Sequence, residues 1–247
     1  MHATCLPPRA SLSRSVARAS VPAATLAYCH GFLSGPSSSK GRFLARELHG
    51  RWAAPLHLLD LNGGGGPAAL THRGALDAID ACWREGSHVP LRLIGSSFGG
   101  WAAAAYAELH PSRVERLVLL CPGFRLSSRW ESIVGGAEAL TAWQQAGERT
   151  FALPSTGAPV SIPWAFAAAC DEQVQVPQPR CPTVVLHGVH DDVVPCSLSE
   201  EFVAQDTASR RLVRLDDDHA LTAPASLRAI LEETAACLAL DKLERRS

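Results

Sequence analysis

Short, densely apolar runs recur along this chain, separated by longer stretches in which apolar residues return every three or four positions. Ala24 to Cys29 (ATLAYC), a run near 55 to 60, Val89 to Ile94 (VPLRLI), Val114 to Leu120 (VERLVLL), Thr183 to His187 (TVVLH) and Arg211 to Leu215 (RLVRL) have the length and the Leu, Ile and Val content of strands. Helices are predicted near 38 to 49, near 70 to 85 with Leu76, Ile79 and Trp83 on one stripe, over the alanine-rich run Gly100 to Leu109, and over Leu227 to Leu240. This alternation predicts an α/β fold, with a mainly parallel sheet of about six strands and helices on both faces. From Pro122 to Arg180 the alternation stops, and the stretch holds Trp130, Trp143 and Trp164 with Phe124, Phe151 and Phe166. So long an insertion inside one domain is usually functional, and a short helical cap over the ligand site is expected at about 122 to 180. Its tryptophans either line a substrate pocket together with Leu33 or seal the cap to the core.

The strand ending at Ile94 runs into Gly95-Ser96-Ser97-Phe98-Gly99, a G-x-S-x-G pattern, and then into the alanine-rich helix. A serine at such a junction sits on a tight turn that exposes its hydroxyl, which nominates Ser97 as a nucleophile. Serine needs a histidine base, a carboxylate to orient that base, and donors for an oxyanion. The strand at 183 is followed by the adjacent pair Asp191 and Asp192, and the strand at 211 by Asp216-Asp217-Asp218-His219. The resulting order of serine, acid and histidine is that of one of the known triad arrangements. The first strand ends in His30-Gly31-Phe32-Leu33, a loop able to aim a backbone amide at a carbonyl oxygen. The expected oxyanion donors are the amides of Phe98 and Phe32, with His30 bracing the loop.

Taken together, His30-Gly31-Phe32, Gly95-Ser-Ser97-Phe-Gly-Gly-Trp101, His187-Gly-Val-His-Asp191-Asp-Val-Val-Pro195 and Asp217-Asp-His219 resemble the α/β-hydrolase superfamily. Within it they resemble the small capped serine esterases that include the mitochondrial acyl-protein thioesterase-like hydrolases and bacterial esterases of similar length. The resemblance spans about residues 24 to 240. It implies Ser97 as nucleophile, Asp191 rather than Asp192 as orienting acid, and His219 as base, acting without metal or cofactor on a carboxylic ester or acyl thioester of a small molecule or an acylated protein. Two departures stand out. Little sequence precedes residue 24 to build the antiparallel strands with which many members begin, and three acids stand before the base where a single one is more common. The competing classes are a non-catalytic ligand-binding protein on a hydrolase fold, and an acyltransferase.

The 247 residues carry a formal net charge of −1 and are 47% hydrophobic, which suits one core and gives no electrostatic reason to bind nucleic acid. No run approaches the roughly eighteen apolar residues of a membrane span. The eight cysteines are scattered, without C-x-x-C or zinc spacing, and are expected to be reduced, packed thiols. His187, His190, Asp191 and Asp192 find no matching second ligand set for a metal, and Gly63 to Gly66 lack the Gly-Lys-Ser/Thr ending of a phosphate loop. No acid precedes Glu47, and arginines alternate with serines at the amino terminus. Residues 1 to 23 therefore have the composition of a transit peptide to a mitochondrion or chloroplast, with a disordered leader in the cytoplasm as the alternative. The oligomeric state leaves no mark in the sequence.

Overall fold

The computed structural model describes residues 24–240; the leader at 1 to 23 lies outside them. Six strands form one sheet: β1 (Thr25–Cys29), β2 (Leu56–Leu58), β3 (Leu91–Ser96), β4 (Val114–Leu120), β7 (Thr183–Gly188) and β8 (Arg210–Leu215). Their order is β2-β1-β3-β4-β7-β8 and every pairing is parallel. Parallel strands need crossovers, supplied by α1 (Ser39–Trp52), α2 (His72–Glu85), α3 (Phe98–Leu109) and α7 (Cys196–Ala204), with α8 (Pro224–Cys237) closing the chain. The prolines and side-chain caps set several of these boundaries. Ser38 caps α1 by accepting from the Gly41 amide at 3.2 Å, Thr71 caps α2 through Gly74 at 2.9 Å, and α8 starts at Pro224, where a missing N–H costs nothing.

The two-residue period of the strands divides the core. Ala27, Cys29, Leu91, Leu93, Leu117 and Leu119 pack with α2, α3 and α7, whereas Leu26, Tyr28, Ile94, Val118 and Leu120 pack with α1 and α8. The chain leaves β1 toward one edge through α1 and leaves β3 toward the other through α3, on the opposite face. The strand order therefore reverses between β1 and β3, and the crevice of such a sheet opens outside the carboxyl ends of those strands.

Between β4 and β7 the chain forms α4 (Trp130–Val134), α5 (Ala137–Ala146), β5 (Glu148–Ala152), β6 (Pro159–Pro163) and α6 (Trp164–Ala168). Beside the helices expected of the insertion stands a pair of strands that was not expected. β5 and β6 pair as an antiparallel hairpin, with Phe151 opposite Val160. The hairpin and helices are joined to the body by rings. Phe166 stacks on Phe32 at 5.1 Å and on His72 at 4.9 Å, and Trp130 meets Phe32 edge-on at 5.6 Å. His72 is buried, its Nε2 lies 3.4 Å from Cys170 Sγ, and its Nδ1 finds no partner among the described residues.

One close approach ties α3 to β1. A Cβ at Gly99 would overlap the carbonyls of Cys29 and His30, and backbone cannot yield as a flexible side chain can. Gly99→Ala is expected to cost about 2 to 3 kcal/mol and to lower Tm by roughly 4 to 12 °C, read by differential scanning calorimetry. A second expectation concerns acid. Burial pushes the His72 imidazole down to about 4 from 6.5, so the unfolded chain takes up a proton before the folded one does. Stability is then lost as pH falls from 6.5 toward about 4. Melting curves between about pH 7 and about pH 4.5 should fall more steeply for the wild type than for His72→Phe, which keeps the ring and removes the titration.

Candidate functional site

Ser97 occupies the single residue between β3 and α3, with φ 54° and ψ −120°. An L residue rarely adopts this backbone, and hydrogen bonds hold it there. The Ser97 amide donates to Leu120 O at 2.9 Å, and the Ser97 carbonyl accepts from Gly123 at 2.8 Å and Gly100 at 2.8 Å. Asp191 follows β7 and His219 follows β8, so both project from the same end of the sheet as Ser97. A Cβ on Gly188 would collide with the carbonyls of Asp217 and Asp218, so that glycine lets the β7 exit lie directly against the loop that carries His219.

His219 bridges the other two. Its Nδ1 lies 2.7 Å from Asp191 Oδ2 and its Nε2 3.0 Å from Ser97 Oγ. A carboxylate only accepts, so Nδ1 carries the proton and the neutral ring offers Nε2 to the serine hydroxyl. Asp191 is buried and heavily supplied with donors. Its Oδ1 accepts from the amides of Val193 at 2.9 Å and Val194 at 2.7 Å, and His187 Nε2 lies 3.2 Å from Oδ2. Burial by itself raises the Asp191 carboxyl, but hydrogen bonds from His187, His219 and Val194 outweigh it and hold the group well below the usual carboxylate range. His187 is fixed in turn, with Nε2 donating to Val194 O at 2.8 Å and Nδ1 accepting from Ser199 Oγ at 2.7 Å. Arg129 clamps the same loop from the inserted segment, donating to the Val193 carbonyl and, at 3.0 Å, to Phe124 O.

The remaining sequence candidates separate. Asp192 is exposed, and His190 pairs with Asp216 at 2.8 Å on the surface, so neither joins the buried pair His187 and Asp191. Asp217 and Asp218 spend carboxylate oxygens on the amides of Ala223 and Ala220, at 3.0 and 2.8 Å, which gives the three-acid run a structural use. His30 donates through Nδ1 to Gly31 O at 3.0 Å and accepts the Leu61 amide on Nε2 at 3.1 Å, bracing the loop of Phe32. Among the described residues, the group of three potential metal ligands nearest to one another is Cys121, Asp191 and His219. Two of these already bond each other, and burial followed by the Asp191 charge pushes the Cys121 thiol up, so it stays protonated. The seven described cysteines are free thiols.

A cavity of about 520 Å³ opens over Ser97 and His219. Phe32 and Leu33 line it, as do Pro154 and Ser155 from the hairpin turn. Trp130, Trp143 and Trp164 do not, which corrects their expected place in the pocket. Trp130 and Trp143 are buried, donating to Cys170 Sγ at 3.4 Å and Ile162 O at 3.0 Å, and Trp164 packs edge-on against Trp143 at 5.4 Å. Indole N–H groups that find partners inside the insertion hold those rings there. Lys40, Tyr28 and Ser38 line the cavity without having been expected. A lysine in the first turn of a helix, where the dipole disfavours a cation, was the available signal for Lys40.

The sequence matches the model of the Uncharacterised protein family (UPF0227) over residues 25–231. It is 34% identical over 125 residues to a pimeloyl-[acyl-carrier protein] methyl ester esterase of Chromobacterium violaceum, an alignment that covers 47% of this chain and 48% of the relative. Against monoacylglycerol lipase abhd6-B of Xenopus laevis it is 31% identical over 106 residues, covering 38% and 28% respectively. The alignments thus span about half or less of the curated relatives' length. Among solved structures, alpha/beta hydrolase domain-containing protein 10 from mouse superposes with a TM-score of 0.71 at 20% identity, covering 90% of each chain. With its parallel sheet in the order described and the family match running through all six strands, the chain belongs to the Uncharacterised protein family (UPF0227) and has the α/β-hydrolase fold.

Proposed function

We propose that this protein is a serine hydrolase that cleaves a carboxylic ester or acyl thioester through an acyl-enzyme. The observation that carries the reading is the continuous hydrogen-bond line from Asp191 through His219 to Ser97, at 2.7 and 3.0 Å, ending in the wall of a cavity. Ser97 Oγ attacks the acyl carbonyl while His219 Nε2 takes its proton. The tetrahedral oxyanion is met by the amides of Phe98 and Phe32. Phe98 is the first residue of α3, so its amide has no intrahelical acceptor and is available. His219 then protonates the leaving alcohol or thiol, and water enters by the reverse sequence to free the acid. Asp191 keeps the imidazole in its tautomer and stabilises the imidazolium. In this reading the insertion is the cap, with Phe32, Leu33 and Pro154 as apolar contacts for the acyl group. The relatives named as methyl ester esterase and monoacylglycerol lipase favour an oxygen ester as the first substrate to try.

A fluorophosphonate probe should label the wild type and leave Ser97→Ala unlabelled, with hydrolysis of short-chain esters falling by about 10⁴-fold or more in the variant. A folded wild type that neither labels nor turns over any ester or thioester would end the hydrolase reading in favour of ligand binding alone, and acyl transfer to an added alcohol in preference to water would redefine it as a transferase. The acid can be identified separately. Asp191→Asn should lose kcat by up to about 10⁴-fold with the fold intact, whereas Asp192→Asn should retain most of it; the converse result would reassign the acid. The composition of residues 1 to 23 supports delivery to a mitochondrion or chloroplast, and a fluorescent protein fused behind those residues should accumulate there rather than spread through the cytoplasm.

A further inference from the structure

Lys40 is a cation in an unfavourable place. It stands in the first turn of α1, at the positive end of the helix dipole, and it lines the cavity that contains Ser97 and His219. Among the described residues its one hydrogen bond is long, from Nζ to Ser96 Oγ at 3.4 Å, and it forms no ion pair there. Burial pushes its ammonium below the usual lysine range, only partly offset by the fields of Asp217, Asp191 and Asp218. Those acids are engaged elsewhere, Asp191 with His219 and Asp217 with the Ala223 amide. An ammonium taken out of water without a counter-charge is costly to keep, and this one faces an open cavity. Hydroxyls surround it. Tyr28 hydrogen-bonds with Ser38 and Ser96, burial pushing its own phenol up to about 12, and Ser34 and Ser39 line the same space.

The cavity is therefore two-sided in chemistry, with Phe32, Leu33, Pro154 and Val193 supplying apolar surface and the Lys40 cluster supplying a positive, hydroxyl-lined corner beside the serine. We propose that Lys40 is a specificity-determining residue that receives an anionic group on the acyl part of the substrate, so that the preferred ester is a half-ester of a short dicarboxylic acid. The proposal rests on the reading of Ser97 as the nucleophile. Asp192 and Asp218 also line the cavity, but both are exposed and screened by water. They oppose an anion held at the mouth and leave Lys40 as the cationic contact within. The carboxylate must then lie close to the scissile carbonyl, which sets the short chain.

The test compares monoethyl glutarate with ethyl valerate, equal in chain length and differing in the terminal carboxylate, by ethanol release. A charge-assisted hydrogen bond in this setting should raise kcat/KM for the half-ester at least about tenfold over the neutral ester. That ratio should fall about tenfold in Lys40→Met, stay high in Lys40→Arg, and shrink as salt is raised. Glutarate itself should raise the Tm of wild type and Lys40→Arg but not of Lys40→Met. A ratio near one in the wild type, or a ratio that Lys40→Met leaves unchanged, overturns the proposal and leaves the hydrolase reading standing. No turnover of either ester or of a thioester and no fluorophosphonate labelling, with Lys40-dependent glutarate stabilisation, removes the hydrolase reading and keeps the anion site; loss of that stabilisation as well overturns both.

Discussion

The arrangement depends on one residue's backbone. Ser97 is held at φ 54° and ψ −120°, a conformation that costs on the order of 1 to 3 kcal/mol and that the neighbouring strand enforces. β4 supplies the carbonyl of Leu120 to the Ser97 amide, and the chain just beyond β4 returns the Gly123 amide to the Ser97 carbonyl. The turn needs empty space on both sides, because a side chain at Gly95 would meet the backbone of Gly99 and Gly100, and one at Gly99 the end of β1. The same crowding that forbids a side chain at 99 brings the loop of Phe32 against the serine, where a Cβ on Gly31 would lie 3.3 Å from Ser97 Cβ. The strained turn and the adjacent loop are thus two results of one close contact at the switch point of the sheet.

Asp191 and His219 are positioned by a different logic. Asp191 is immobilised by donors from its own loop and from His187, so its carboxylate keeps only one direction free, toward His219. Desolvation and donor supply act against each other there, and the donors win. Cys121 packs at the end of β4, between β3 and β7, with its amide bonded to Leu186 O at 2.9 Å. Its thiol hydrogen-bonds with Asp191 from beneath, adding a further support to that carboxylate.

Much of this was legible in the sequence because strands buried on both faces must be apolar throughout. VERLVLL and TVVLH could be placed almost to the residue, and the order of Ser97, Asp191 and His219 along the chain followed from which strand each one trails. The hairpin was not legible. ERTFA and PVSIP are five residues each and half-exposed, the first polar at three of five positions and the second flanked by Pro159 and Pro163, so neither gives the run of apolar residues that marks a buried strand. The tryptophans of the insertion were visible as a group, but composition alone could not say which rings faced Ser97; partners such as Cys170 and Ile162, distant or weakly patterned in sequence, decided it. α8 begins three residues earlier than its apolar period suggested, at a proline that is itself the stronger boundary signal. Lys40 carried only the signal of a cation in a helix's first turn, because it is the folding of α1 over the end of β3 that turns it toward the cavity.

Arg129 reaches from the insertion to the carbonyl of Val193, whose own amide holds Asp191. The insertion and the loop of Asp191 therefore share a mechanical linkage. Any displacement that withdraws Arg129 also loosens one of the supports of Asp191, so the seating of the insertion and the aim of the His219 imidazole are mechanically coupled.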